Sequence, residues 1–123
     1  MSIPVGIGDL KAALADFGSG YLLTTVDGRV KVVTVDPEYG DDGLRVTGPG
    51  SGTLGNVGSN PVVSLVFPPK EPRGYTLIVD GTGRPHGDDV VVQPTSAVLH
   101  RPRSHADGPP PPDGCGHDCA PVP

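Results

Sequence analysis

Residues 44–67, L-R-V-T-G-P-G-S-G-T-L-G-N-V-G-S-N-P-V-V-S-L-V-F, constrain the fold of this chain more than any other stretch. Four strand-forming residues (44–47) run into a turn of glycines around Pro49, which no regular element can span. A short helical run near 53–59 follows, Asn60-Pro61 stops it, and the apolar run 62–67 has the character of a buried strand. The rest of the chain repeats the lesson, because 19 Gly and 16 Pro in 123 residues cannot sit inside helices without breaking them. With no Trp and two Phe, the core must be built from Val and Leu, which favours strands.

The length suits one domain with an irregular tail. Seven of the prolines lie after His100, so the expected division is a folded domain at 1–103 and a Pro-rich tail at 104–123. The net charge of -5 repels phosphate backbones and argues against nucleic acid as a partner. No apolar run reaches bilayer length, and residues 1–8 lack the basic start and long apolar middle of a secretory leader, so the expectation is a cytoplasmic protein with no membrane partner.

Asp9 can cap a short amphipathic helix whose apolar residues are Leu10, Ala13, Leu14 and Phe17, and Gly18 suits its end. Two Val/Thr-rich runs, 20–26 and 29–35, flank Asp27-Gly28, a dipeptide that accepts positive φ at both central positions of a tight hairpin. The acidic stretch 36–43 reads as a solvated hairpin turn, since its spacing is not that of a calcium loop. Residues 68–74 are a Pro-rich linker, and 75–80 a strand broken by Gly81, Gly83, Pro85 and Gly87. Residues 89–93 and 97–101 make one further strand, or two halves bent at Pro94. The result is a mostly β chain, a small six-stranded antiparallel split β-barrel with one or two short helices.

This order of elements resembles the pyridoxamine 5'-phosphate oxidase-like family of FMN-binding split barrels. The resemblance covers roughly residues 10–102 and rests on Asp27-Gly28-Arg29, on Asn60-Pro61 before the buried strand, and on Val79-Asp80-Gly81-Thr82-Gly83. It implies a homodimer that binds FMN or a deazaflavin between subunits, and an oxidoreductase acting on a small-molecule ligand. A basic residue usually faces the flavin phosphate from the segment matched by residues 47–54, and here that segment contains none. The cofactor contacts open to this chain are then Thr47, Ser51 and Thr53, where hydroxyls and backbone amides near a helix start can form an anion nest, together with Arg29 and Lys31 from the neighbouring strand. The alternative reading is a cofactor-less dimeric scaffold. Without the lysine that a nucleotide-triphosphate loop needs, residues 47–54 are not one. No Trp-containing C-terminal segment of true pyridoxamine-phosphate oxidases is present either.

In the tail, Cys115, His117 and Cys119 alternate along the chain, so an extended backbone points all three to one side. That set suits zinc or cuprous copper, with a strained Cys115–Cys119 disulfide or incidental thiols as the alternatives. His86 and His100 stand singly near strand ends, and no serine-nucleophile phrase occurs. Strands rich in Val and Leu on both faces leave apolar surface outside a small barrel, which predicts that a second subunit covers it, with Val33 and Val35 in the contact.

Overall fold

The computed structural model describes residues 1–112 of the 123. The Cys115, His117 and Cys119 set lies outside the described residues. The elements run β1 (Ser2–Val5), α1 (Leu10–Leu14), β2 (Gly20–Val26), β3 (Arg29–Val35), β4 (Glu38–Gly40), β5 (Gly43–Val46), α2 (Ser51–Ser59), β6 (Val62–Phe67), β7 (Thr76–His86) and β8 (Asp89–His100). A single 3-10 turn precedes α1, and another, Arg103–His105, follows β8.

The strands form one antiparallel sheet of eight, not six, in the order β3-β2-β6-β7-β8-β5-β4, with β1 also paired to β8. Among the described residues this ladder does not close, for β3 and β4 stand at its two ends. The two strands beyond the expected six are short: β1 pairs Ser2–Val5 with the end of β8, and β4 folds the acidic stretch back on β5. A strand has two edges, and β7 occupies one edge of β8 along its whole length. β5 and β1 therefore share the other, at opposite ends of β8.

The expected hairpin of β2 and β3 forms, and Asp27 and Gly28 take φ of 54° and 76°, the paired positive values of a type I′ turn. The long hairpin of β7 and β8 corrects the expected break at Gly81. Its register shifts there, from Asp80 opposite Ser96 to Gly81 opposite Pro94, so Thr95 bulges out and its hydroxyl donates to the Asp80 carbonyl at 3.1 Å. Pro94 lacks a backbone donor, and the bulge is where a long strand tolerates that loss. β8 thus passes through Pro94 unbroken.

The core is aliphatic. Leu22, Leu44, Leu65, Leu77, Val79, Val90, Val92 and Leu99 are fully buried, each contributing about 1.5–3 kcal/mol by leaving water. α1 closes one end with Leu10 and Ala13, although Asp9 at its N-cap makes no side-chain capping bond. Phe17, just past α1, meets Phe67 with ring centroids 6.4 Å apart. Val35 is buried and Val33 packs against the core, which corrects their expected place in a subunit contact. Outward-facing apolar residues are instead Val30, Val32, Val62 and Tyr21.

Candidate functional site

α2 is a poor helix by propensity, S-G-T-L-G-N-V-G-S, and its three glycines cost about 1 kcal/mol each relative to alanine. Tertiary contacts hold it. Val57 is buried against the sheet, and Gly83 makes room for it, since an added Cβ there would lie 3.2 Å from Val57 Cγ1 and 3.5 Å from Val90 Cγ1. Asn56 Nδ2 donates to Thr24 Oγ1 at 3.1 Å, and Asn60 Nδ2 donates to the Thr25 carbonyl at 3.0 Å. Asn60 is extended, as a residue before proline should be, and its Oδ1 accepts from the Val62 amide. The Asn60-Pro61 phrase therefore ends α2, starts β6 and ties both to β2.

At the other end of α2, Gly50 is the N-cap with φ of 104°, and no side chain caps the helix. The first-turn amides of Ser51, Gly52 and Thr53 precede the residues that can bond within the helix, and they carry the positive end of its dipole. Lys31 lies on the face of β3 that carries Val33 and Val35 inward, opposite Thr24 on β2, and its ammonium reaches this end of the helix. An added Cβ on Gly52 would overlap Lys31 Nζ. Among the described residues Lys31 has no carboxylate within ion-pair distance; the arginines that do are Arg45, with Asp42 and Asp89, and Arg73, with Asp107.

A cation set against the positive end of a helix is repelled unless an anion lies between them. Arg29, two residues before Lys31 on the same face, completes a cavity of about 810 Å³ lined by Val26, Asp27, Arg29, Val30, Lys31, Val32 and Asn56. Thr53 is 1% exposed, and its Oγ1 has no hydrogen-bond partner among the described residues.

Of the residues named from sequence, Ser51 and Thr53 stand in the first turn of α2 on either side of Gly52, which Lys31 reaches, while Arg29 and Lys31 line the adjoining cavity and Ser51 and Thr53 do not. Thr47 is exposed beyond the end of β5 and does not line it. Asn56 is a site residue that sequence reasoning missed, for a mid-helix Asn carries no local signal of the strand it bonds. Among the described residues no group of three or more His, Cys, Asp or Glu could hold a metal ion, and no helix is long and apolar enough to cross a membrane.

Solved structures share this fold. The FAD binding protein from Mycobacterium smegmatis superposes with a TM-score of 0.63 at 18% identity, covering 82% of this chain and 100% of that one. A FAD-binding protein from Mesorhizobium loti gives 0.58 at 17% identity, over 82% and 98%. A candidate pyridoxamine 5'-phosphate oxidase from Listeria innocua gives 0.54 at 12%, over 76% and 90%. The architecture is that of these proteins, in agreement with the resemblance drawn from sequence. At the level of sequence, the chain is 39% identical over 127 aligned residues to uncharacterized protein Mb0449c of Mycobacterium bovis and to uncharacterized protein MT0457 of Mycobacterium tuberculosis, covering 89% of each chain. It belongs to the same family as these two mycobacterial proteins. No model of a described protein family matches the chain.

Proposed function

We propose that this protein binds a phosphate-bearing flavin or deazaflavin and serves as an oxidoreductase for a small molecule. The observation that carries the reading is the Lys31 ammonium resting over Gly52 at the uncapped start of α2. It supplies from β3 the cation that residues 47–54 lack. The residues present fit a phosphate: a lysine, the first-turn amides of Ser51, Gly52 and Thr53, and a glycine whose missing Cβ leaves the cradle open. When bound, a flavin supplies two-electron transfer at its ring, while the chain binds and orients it. The solved proteins of like fold that are described as binding FAD support the same reading.

A second copy of the chain completes the proposal. Val30, Val32 and Val62 are 61%, 54% and 65% exposed on the outer face of the sheet, beside Tyr21 and the half-buried Leu23 and Val66. Such a face favours an apolar partner. Val30 and Val32 are also among the residues that line the cavity. Light scattering at micromolar concentration should give twice the 12.5 kDa chain mass, and Val32→Asp should return it toward monomer.

Titration with FMN tests the central claim. Its fluorescence should be quenched with a dissociation constant at or below tens of micromolar, a typical functional range. Absence of quenching at millimolar protein would leave the cofactor-less scaffold as the surviving reading.

A further inference from the structure

We propose that the second copy sits on the outer face of the sheet in one fixed register, antiparallel along β7, with Asp80 of each copy paired to Arg84 of the other. This rests on reading that face as the seat of a second copy. What it adds is the pair of residues that selects the partner and sets its orientation.

Along β7, Leu77, Val79, Gly81 and Gly83 face the core, so Ile78, Asp80, Thr82 and Arg84 share the outer face. Asp80 and Arg84 are both exposed, and among the described residues neither forms an ion pair. Their Cα atoms are about 13 Å apart along the strand, beyond the reach of an arginine toward a carboxylate of its own chain. The Ser64 hydroxyl on β6 donates to Asp80 Oδ1 at 2.7 Å and orients it. Around that carboxylate the face is largely apolar. Leu23 and Val32 continue its row beyond Ser64, and Ile78, Val66 and Tyr21 form the next row.

A carboxylate in such a face costs an arriving apolar surface its desolvation unless a cation meets it. This chain carries that cation at a matching offset. Thr82 lies midway between Asp80 and Arg84, and opposite it on β6 is Val62, the most exposed large apolar residue among those described. A two-fold axis through Thr82 and Val62 lays β7 antiparallel over β7 of the second copy, so both Asp80–Arg84 pairs form at once. Such reciprocity is what an isologous contact requires. Sheets packed face to face stand about 10 Å apart, a gap that an arginine and an aspartate together span.

The plainer account is that Asp80 and Arg84 are ordinary solvated charges, which contribute little. Solvated charges need no fixed spacing, whereas these two stand symmetrically about the most exposed valine, and one of them is held in place by a hydroxyl. A different protein would have to supply its own cation at the same offset; a second copy supplies it by symmetry.

Charge reversal in the full chain tests the pairing, read by light scattering and native mass spectrometry at micromolar concentration. Asp80→Arg sets cation against cation in both pairs, and Arg84→Asp sets acid against acid, so each should weaken self-association about a hundredfold. An equimolar mixture of the two variants should form a mixed dimer within about tenfold of the parent's affinity, because each pair again joins an acid to an arginine. The variants differ in mass, so the mixed dimer is distinguished from either homodimer. A parent that dimerises while either single reversal leaves its affinity unchanged, or a mixture that stays monomeric, would overturn the pairing and leave the second-copy reading standing. A monomeric parent would remove that reading and the pairing with it. Both residues are exposed, so each variant should melt within about 2 °C of the parent, and circular dichroism checks this.

Discussion

Lys31 and Arg101 are cations at opposite ends of β2, β6 and β7, and the chain treats them in opposite ways. Arg101 is 5% exposed, with its guanidinium 4.1 Å from the centre of the Tyr75 ring. Its Nη1 donates to the carbonyls of Pro109, at 2.7 Å, and Arg73, at 3.4 Å, and its Nη2 to that of Ala106, at 3.3 Å. No carboxylate is paired with it among the described residues, but carbonyl dipoles and a ring face replace one. They strap residues 102–112 across the end of the sheet, where Pro109–Pro112 line a groove with Phe17 and Tyr75. Lys31 is exposed, its ammonium has no hydrogen-bond partner among the described residues, and it lies against a helix end of its own sign. A cation buried in carbonyls is part of the fold. A cation left open to water beside helix-start amides is not, and the proposed phosphate site uses it.

That contrast makes its largest prediction at Arg101. Arg101→Ala removes the ring contact and orphans carbonyls from three residues, so a loss of about 3 kcal/mol is expected. Thermal melting should fall by roughly 10 °C for a domain of this size, with flavin affinity unchanged in the folded protein. If flavin affinity fell as well, the two ends would not be independent.

Lys31→Ala should do the reverse. Melting of the ligand-free protein should be unchanged or slightly raised, because a repulsion is removed, while ligand affinity should drop about tenfold, equivalent to about 1.4 kcal/mol. A marked loss of stability would show that Lys31, like Arg101, is structural.

A finer separation uses two glycines of α2. Nothing lies within 4 Å of a Cβ added to Gly55, so Gly55→Ala should stabilise by about 0.5–1 kcal/mol through helix propensity and leave binding alone. Gly52→Ala should gain similar propensity but displace Lys31 Nζ, lowering affinity. Equal affinities in the two variants would remove Lys31 from the cradle.

The smallest effect belongs to the strap. Arg73 Nε donates to Asp107 Oδ1 at 2.8 Å, and this hydrogen bond holds the Asp107 carboxyl below its ordinary value of 3.8. A carboxylate depressed in the folded state adds stability above its unfolded value, and that contribution is lost as pH falls through the folded one. The melting difference between the parent and Asp107→Asn should therefore be present at pH 6 and begin to fall only on acidification below about pH 4, disappearing once pH has passed below the folded value. Asp107 is exposed, so added salt should shrink the difference as well.

Much of the scaffold was legible because its signals are local. Asp27-Gly28 announces a type I′ turn whatever surrounds it, and the strands at Gly20–Val26, Arg29–Val35 and Val62–Phe67 lie where alternation and apolar runs put them. The strands that escaped depend on partners. Residues 2–5 and 38–40 are too short to signal alone and exist only as additions to β8 and β5. Gly81 read as a break and Pro94 left one strand or two bent halves open, and the bulge at Thr95 carries the hairpin past both.

The candidate site divides in the same way. By itself the sequence determined that residues 47–54 form a base-free glycine turn into a helix, and that Arg29 and Lys31 share one face of a strand, because turn chemistry and the two-residue period of a strand are properties of a few adjacent residues. Which face of β3 turns inward was decided only when Leu22 and Leu65 found a common core, which sends Val33 and Val35 inside and leaves Val30 and Val32 out. The same packing seats α2 on Gly83 and brings Gly52 beneath Lys31. No local pattern encodes that meeting, for its two halves lie on different elements and only burial of the apolar residues between them sets their distance.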